Sequence, residues 1–446
     1  MTTSTNGPQP ITRIAAWMAR VVLVWSCVCL PALVEVQGAR AQTHTVLYSF
    51  VGAPSDGREP DGGLVLDPNG NLYGTTVLGG SAGLCKQAHH NIGCGTVFEL
   101  SATGVEMVLF NFDGKTSGGE PTAAPAIDTA GNLYGTTMVG GSTKCRCGVL
   151  FKIDSDGTFS VLHRFRGIPD GAFPQAGVTL DAAGNLYGTT AGGGRQCPAT
   201  TVGCGTVFKM SAGGKYSILH RFYSLDGIDP ESALTLDAGG TLYGTTKLGA
   251  TKHGNCNTSP GCGNIFKLDQ TGHNFTVLHR FALRTNGQFP TSTLTLDASG
   301  NLYGTTTWGG DLGCNGGLGC GVVFELDPTG HETVLYRFSG GADGAYPLID
   351  DGSLVRDNAG NLYGNTAGGG NLTCGGGGGC GVVFKVDPTG HETVLYSFEG
   401  GADGNDPLSG LVTDSAGNFY GTTAIGGTFS SACGVDGCGT IFKITP

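Results

Sequence analysis

The hexapeptide Asn71-Leu72-Tyr73-Gly74-Thr75-Thr76 decides the fold, because six close copies of it follow along the 446 residues. The later copies lie 53 to 61 residues apart, and their tyrosines are Tyr134, Tyr187, Tyr243, Tyr303, Tyr363 and Tyr420. A period of this length is typical of propellers and other repeat arrays, and it is too long for one coil of a β-solenoid. It suits a four-stranded blade with two long loops.

The sixth copy illustrates the four short strands that we predict for every repeat. The predicted strands are residues 353–356, 361–366, 381–386 and 392–398, which are rich in Val, Leu, Tyr, Phe and Thr. Two of the connections begin with Asp and end with Gly, which is typical of tight turns. Beyond residue 41 the chain has no convincing helical periodicity, so the pattern predicts an all-β protein.

The two ends of the repeat array predict a closed ring. Residues 45–50 match a fourth strand that lacks the three before it, and residues 440–444 match a third strand that lacks its successor. Pairing these two segments completes one blade and removes the exposed strand edges of an open array. We therefore predict a seven-bladed β-propeller over residues 42–446, closed by its N-terminal strand.

Residues 1–41 have the organisation of a secretory signal peptide. Arg13 and Arg20 precede or border an apolar stretch over residues 21–34, and Ala39 and Ala41 are the small residues before a cleavage site at Gln42. The apolar stretch is shorter than the roughly 20 residues of a membrane span, although a retained N-terminal anchor is the alternative. We expect a secreted or periplasmic protein with no membrane span in the mature chain.

The charge of the chain argues against a nucleic-acid partner. The formal net charge is −11, and residues 1–41 hold three arginines and one glutamate, so the mature chain is more acidic still. An acidic surface repels phosphate backbones. We expect a monomer that binds an unknown extracellular ligand, with carbohydrate as one candidate.

Each repeat contains two cysteines in the loop after its tyrosine strand. Two cysteines per unit in an exported chain indicate one disulfide per blade, whereas a zinc site would need four ligands at regular spacing. The closest pair is only two residues apart, so we expect a strained bridge that is either labile or left reduced. The predicted pairs are Cys85/Cys94, Cys145/Cys147, Cys197/Cys204, Cys256/Cys262, Cys314/Cys320, Cys374/Cys380 and Cys433/Cys438.

The hexapeptide followed by Cys-Gly-Thr-Val-Phe resembles the choice-of-anchor tandem repeat GloVer-containing proteins of bacteria. The resemblance covers residues 43–446 and recurs in all seven repeats. It implies an extracellular repeat protein and no particular activity. Members are named for C-terminal surface anchors, and no sorting tail follows the last strand before Pro446, so we do not expect attachment of that kind.

The topology places all long loops on one face of the ring, where we expect any binding site. The connections between blades carry Asp/Asn-Gly-x-x-Pro, with Ser117 as the one departure. The Asp residues of this motif, such as Asp343 and Asp403, are expected to cap turns, with calcium binding as the alternative. Trp308 and Tyr346 lie in loops of the same face, where they could stack on a sugar or pack at the rim. We take Trp308, Tyr346, Asp343 and Asp403 as candidate ligand-binding residues.

Two further repeated positions are interpreted as structural. An Asp at the end of each first strand, for example Asp297, is followed by x-x-Gly and is typical of a hairpin turn. His163, His220 and His279 replace a tyrosine of the fourth strand, which indicates a packed aromatic ring with a polar edge rather than a metal ligand.

The sequence contains no catalytic motif that we recognise, and its conspicuous residues repeat symmetrically. We therefore favour an extracellular binding or scaffold module without catalysis, cofactor or metal. A carbohydrate-active or lactone-processing propeller enzyme is the alternative. It would require an asymmetric set of carboxylates contributed by particular blades.

Overall fold

The computed structural model describes residues 1–2, 42–81, 93–197, 200–249, 261–281, 284–347 and 352–446. The predicted signal peptide lies almost entirely outside these residues and stays a prediction. Within them the chain forms seven four-stranded antiparallel sheets in a ring, which confirms the seven-bladed β-propeller. The regular helical structure among these residues consists of three single 3₁₀ turns, Arg284–Asn286, Asn315–Gly317 and Gly375–Gly377.

Each blade runs from a first strand near the ring axis to a fourth strand at the outside. The first three blades consist of Leu64–Leu66, Leu72–Thr76, Thr96–Leu100 and Glu106–Asn111; Ala126–Ile127, Leu133–Thr137, Val149–Ile153 and Phe159–Arg164; and Thr179–Leu180, Leu186–Thr190, Thr206–Met210 and Tyr216–Arg221. The next three consist of Thr235–Leu236, Thr241–Thr246, Asn264–Asp269 and Thr276–Arg280; Thr295–Leu296, Leu302–Thr306, Val322–Leu326 and Glu332–Arg337; and Val355–Arg356, Leu362–Gly368, Val382–Val386 and Glu392–Ser397.

The seventh blade joins the two ends of the folded sequence. Its strands are Val412–Thr413, Phe419–Thr423, Thr440–Thr445 and, at the outer edge, Thr43–Ser49. The outer strand pairs antiparallel with Thr440–Thr445 from Thr43 opposite Thr445 to Ser49 opposite Thr440. The predicted closure of the ring by the N-terminal strand is therefore confirmed.

The glycine of the hexapeptide makes room for a phenylalanine in the neighbouring third strand. Gly74 lies opposite Phe98 in the sheet register, and a Cβ atom on Gly74 would lie 2.5 Å from Cζ of that ring. The same relation holds in all seven blades, with corresponding separations of up to 2.8 Å. The Tyr-Gly dipeptide therefore recurs, because any side chain in place of the glycine would displace a core ring.

These phenylalanines also join neighbouring blades. Each packs edge-to-face on a second phenylalanine, which follows the fourth strand of the preceding blade, at 5.1–5.4 Å between ring centroids. This is a favourable geometry for aromatic pairs, and all fourteen rings are at most 1% exposed. The pairs are Phe50/Phe98, Phe112/Phe151, Phe165/Phe208, Phe222/Phe266, Phe281/Phe324, Phe338/Phe384 and Phe398/Phe442.

The repeated Asp after each first strand holds its turn and the adjacent tyrosine. In the fifth blade one oxygen of Asp297 accepts from the backbone N–H groups of Ser299 and Asn301, at 2.8 and 2.9 Å. The other oxygen accepts from the Asn301 amide at 3.0 Å and from the Tyr303 hydroxyl at 3.2 Å. The turn Asp thus fixes the first two strands to each other.

Deletion of residues 43–50 is expected to destabilise the whole ring, because it removes the outer strand of the seventh blade and the Phe50 ring. Loss of a buried phenylalanine alone costs about 3–5 kcal/mol. Thermal melts of the deleted and intact exported proteins would measure the change. An unchanged melting temperature would contradict closure by this strand.

Asp297→Ala is expected to cost about 1–3 kcal/mol in the free energy of unfolding, because it leaves turn amides and a tyrosine hydroxyl without their acceptor. Chemical denaturation would measure the loss. Asp311→Ala is the matched control, since Asp311 is exposed and accepts a backbone hydrogen bond from Gly313 at 2.8 Å. Equal effects of the two substitutions would refute the role of the turn Asp.

Candidate functional site

Two kinds of long loop share one face of the ring, which we call the cysteine-loop face. They are the cysteine loops between second and third strands and the connections from one blade to the next. Backbone hydrogen bonds join them, as from Gly310 to the Arg284 carbonyl at 2.7 Å and from Gly370 to the Gly341 carbonyl at 2.8 Å. The opposite face, the turn face, carries the tight turns described above.

Five disulfides have both cysteines within the described residues, and each of them holds one cysteine loop. The paired cysteines have Cα–Cα separations of 4.9–5.7 Å, within the usual range for a disulfide. The five pairs are Cys145–Cys147, Cys197–Cys204, Cys314–Cys320, Cys374–Cys380 and Cys433–Cys438. Cys85 and Cys256, the partners predicted for Cys94 and Cys262, lie outside the described residues.

The candidate ligand residues Asp343 and Asp403 are engaged in their own turns. Asp343 accepts from the Tyr336 hydroxyl at 3.0 Å and from the backbone N–H of Ser339 at 2.7 Å. Asp403 accepts from the Tyr396 hydroxyl at 2.9 Å and from a backbone N–H at 2.8 Å. These bonds tie each connection between blades to a fourth strand. Among the described residues, no group of three or more His, Cys, Asp or Glu could hold a metal ion.

We call the boundary between two neighbouring blades a seam. At each seam a third residue, from the start of the fourth strand of the next blade, contacts the fourth-strand residue that faces the connection. The imidazole of His163 lies 3.0 Å from the Asp170 carboxylate and stacks on Tyr216 at 3.7 Å. Where Ser117 replaces the Asp, the seam holds two stacked phenylalanines, Phe110 and Phe159, 3.8 Å apart. The seam residues therefore vary together: an aromatic ring and a carboxylate are paired, and two apolar rings occur where the carboxylate is missing.

Two seams bring two carboxylates close together. Glu106 faces Asp56, and both accept from the Tyr48 hydroxyl, at 3.5 and 3.0 Å. Glu392 lies near Asp343 in the corresponding place five blades further on. Burial, and secondarily the neighbouring aspartate, raises the pKa of each glutamate from 4.5 to about 7. These side chains are therefore poised to change charge near neutral pH.

In each connection that leads into a blade, the residue directly before the proline has left-handed backbone geometry. The φ angles are between 54° and 62°, a region that costs most residues about 1–3 kcal/mol and favours glycine. The chain has 82 glycines but uses none at this position. The seven residues are Glu59, Glu120, Phe173, Asp229, Phe289, Tyr346 and Asp406. Only acidic and aromatic side chains occur there.

Backbone contacts hold these strained residues in place. The N–H of Phe289, for example, donates to the Cys262 carbonyl of the preceding blade at 3.0 Å, and its carbonyl accepts from Thr307 of its own blade at 3.0 Å. The residue before each one pairs with a position at the end of the second strand or just beyond it, as Gln288 does with Trp308. In such a pair the two side chains lie on the same side of the strands.

In six of the seven blades, the type of the strained residue follows the type of the residue that is paired with its predecessor. An acidic residue occurs where the paired position is aliphatic, namely Leu78, Val139, Leu248 or Ile425. An aromatic residue occurs where it is glycine, as with Phe173 and Gly192 or with Tyr346 and Gly368. A Cβ on those glycines would lie 3.1 and 3.3 Å from the aromatic ring, so glycine provides the space. Tyr346 therefore packs over its own blade.

The fifth blade breaks this pattern. Phe289 meets Trp308 instead of glycine, with 4.9 Å between the ring centroids, and Trp308 remains half-buried. Beside them Gln288 is completely buried, and neither its amide nitrogen nor its amide oxygen has a hydrogen-bond partner. An unpaired buried amide is energetically costly, because burial removes the hydrogen bonds that water would supply.

The fourth blade carries a pair of carboxyl groups on the same face. Burial first, and then the neighbouring Glu231 carboxylate, raises the pKa of Asp229 well above its usual value. The Glu231 carboxylate lies 2.9 Å from the Lys247 ammonium and accepts from the Gln175 amide of the third blade at 3.4 Å. This arrangement favours a shared proton between the two carboxyl groups.

Sequence reasoning found Trp308 but missed Gln288, Phe289, Asp229 and Glu231. Gln288, Phe289 and Asp229 occupy the two unspecified positions of Asp/Asn-Gly-x-x-Pro, and Glu231 directly follows the proline of that motif. Comparison of these positions across the seven copies would have shown that the second is always acidic or aromatic. The partnership with the residue beyond the second strand could be seen only in the folded sheet.

The model of the Gloeobacter/Verrucomicrobia repeat matches residues 82–314 and 261–446. No curated protein sequence is significantly similar to the chain. No helix in the described ranges has both the length and the apolar character needed to span a bilayer.

Several solved structures have a similar fold at low sequence identity. TolB from Acinetobacter baumannii is 16% identical with a TM-score of 0.39, covering 66% of this chain and 58% of its own. A gluconolactonase from Xanthomonas campestris is 12% identical with a TM-score of 0.40, covering 72% and 86%. The extracellular domain of a B. thetaiotaomicron protein classed as a one-component system is 12% identical with a TM-score of 0.48, covering 90% and 40%.

Replacement of both seam glutamates, Glu106→Gln and Glu392→Gln, is expected to raise the melting temperature increasingly as pH rises from 5 to 8. Because the folded-state pKa is raised, the protonated form stabilises the fold at low pH, and this contribution is lost as pH rises from about 4.5 through about 7. Glutamine removes the charge at every pH. Melts at several pH values would measure the difference between variant and parent.

The control for this experiment is Glu399→Gln, which removes an exposed glutamate. The control should leave the pH dependence of the melting temperature unchanged. A constant difference between the double variant and the parent from pH 5 to 8 would show that the two glutamates do not titrate in this range.

Proposed function

Because the chain belongs to the Gloeobacter/Verrucomicrobia repeat family, whose repeats here build a closed ring, we propose that it is an exported binding protein. Its cysteine-loop face would bind an extracellular or cell-surface polymer. The predicted signal peptide and the paired cysteines support export, since disulfides persist in oxidising compartments.

The observation that carries this proposal is where the seven copies differ. On the turn face every blade repeats the same Asp-capped turn, with Asp297 and its counterparts accepting the same kinds of hydrogen bond. On the cysteine-loop face the disulfide-bonded cysteines are 2 to 7 residues apart. The strained position there is acidic in four blades and aromatic in three. A rigid framework that varies on one face is the usual arrangement for recognition by loops.

The enzyme alternative is favoured by one observation, the Asp229–Glu231 carboxyl pair. A carboxyl group whose pKa is raised next to an ionised one can act as a general acid. The first blade has acidic residues at the same two positions, Glu59 and Asp61, but Val77 replaces Lys247 there, so the lysine-paired arrangement is particular to the fourth blade. We rank this function second because nothing else in the described residues identifies a nucleophile or an oxyanion-binding group beside it.

We expect the exported protein to co-sediment with insoluble polysaccharides or bacterial cell-envelope fractions through its cysteine-loop face. A short flexible tag inserted after Gly316, in a fifth-blade cysteine loop, should block binding. The same tag after Thr103, in a turn-face connection, should not block it. Both sites are exposed, and a melt of each variant would confirm folding.

Binding blocked only by the turn-face tag, or no binding to any fraction, would overturn the proposal. Assays of the bound saccharides and of simple lactones test the alternative. Turnover by the parent protein that is lost in Glu231→Gln would favour the enzyme instead.

A further inference from the structure

We infer that the fifth blade contains a binding site for a neutral saccharide, formed by Trp308, Phe289 and Gln288. The inference rests on the proposed function, because it names the ligand class and the place on the same face. The fifth blade departs from the other six, in which an aromatic strained residue occurs with glycine and an acidic one with an aliphatic residue.

The two aromatic rings supply an apolar platform. In the third and sixth blades the strained aromatic residue covers a glycine, so no ring surface is added beside it. In the fifth blade Trp308 replaces that glycine and packs on Phe289 at an interplanar angle of 55°. Phe289 is 7% exposed, and Trp308 remains half-buried, so part of the indole is open to solvent. The apolar face of a sugar ring can pack on such a surface.

The amide of Gln288 supplies the polar complement. A side-chain amide both donates and accepts hydrogen bonds, and a pair of sugar hydroxyls does the same. Both amide atoms of Gln288 are without partners, and its side chain lies on the same side of the strands as that of Trp308. A hydroxyl bound there would remove the cost of an unpaired buried amide.

The acidic character of the chain and of this face disfavours an anionic ligand. Four of the seven strained positions on this face are acidic, Glu59, Glu120, Asp229 and Asp406, although none of them belongs to the fifth blade, and the chain carries a net charge of −11. These charges disfavour sulfated or uronic-acid polymers. A cationic ligand would not need the unpaired amide. The aromatic platform and the amide together therefore point to uncharged sugar units.

Binding requires movement at Trp308, because the Gln288 amide is completely buried. This movement can be measured directly. Trp308 is the only tryptophan outside residues 1–41, so the fluorescence of the processed protein reports on it alone. A change in its emission on titration with saccharide is expected.

The test uses the exported protein and a panel of neutral gluco-, manno-, galacto- and xylo-oligosaccharides, followed by fluorescence and by calorimetry. Trp308→Gly recreates the aromatic–glycine pair of the third blade and should therefore fold, while affinity falls about tenfold or more. Gln288→Leu keeps the volume and removes the amide, and it should weaken binding similarly without lowering the melting temperature.

The matched control is Asn405→Leu. Asn405 occupies the position of Gln288 in the seventh blade, has an unpartnered buried amide oxygen, and pairs with Ile425 instead of a tryptophan. Its substitution should leave saccharide affinity unchanged. Equal loss of affinity in Asn405→Leu and Gln288→Leu would overturn the assignment to the fifth blade.

The outcomes separate this inference from the proposed function. Co-sedimentation through the cysteine-loop face, without binding of any neutral oligosaccharide, would refute the inference and leave the binding function standing. Saccharide binding that survives both Trp308→Gly and Gln288→Leu would refute the site. Absence of binding to any polymer would refute both.

Discussion

The contact between a glycine and a phenylalanine within each blade is the constraint on which the ring depends. The glycine of each hexapeptide leaves a space that the third-strand ring fills, and the same ring receives the edge of a phenylalanine from the preceding blade. One small residue thus makes room for the ring within a blade and for the contact of that ring with the neighbouring blade. Because seven copies of this contact must fit around one axis, the core tolerates little variation, and differences between blades appear in the loops.

The loops reach their positions through a strained residue at the entrance to each blade. Its left-handed geometry is maintained by hydrogen bonds to the preceding blade and to its own blade, as at Phe289. The cost of this geometry would be lower with glycine, so the side chains retained there must contribute through their contacts. In six blades the strained residue is either aromatic, with glycine at the paired position, or acidic, with an aliphatic residue there. The fifth blade, with Phe289 and Trp308 together, is the exception.

Much of the architecture follows from the sequence because it depends on local patterns that occur seven times. The spacing of the tyrosines predicts the number of blades, and the incomplete repeats at residues 45–50 and 440–444 predict the closure. The candidate site is harder to predict. Trp308 is conspicuous in a sequence, but Gln288 and Asp229 acquire their interest from burial, from missing partners and from a nearby carboxylate. Those properties arise only when residues from different strands or blades meet.

The split seventh blade has a consequence for how the protein acquires its structure. Thr43–Ser49 finds its partner, Thr440–Thr445, only after nearly all of the intervening sequence is in place. Such a non-local pairing is entropically expensive and is expected to form late and slowly. Until then both segments present unpaired strand edges, and another copy of the chain can supply the missing strand. Refolding at high protein concentration should therefore favour strand-exchanged dimers, in which each ring is completed by the other molecule.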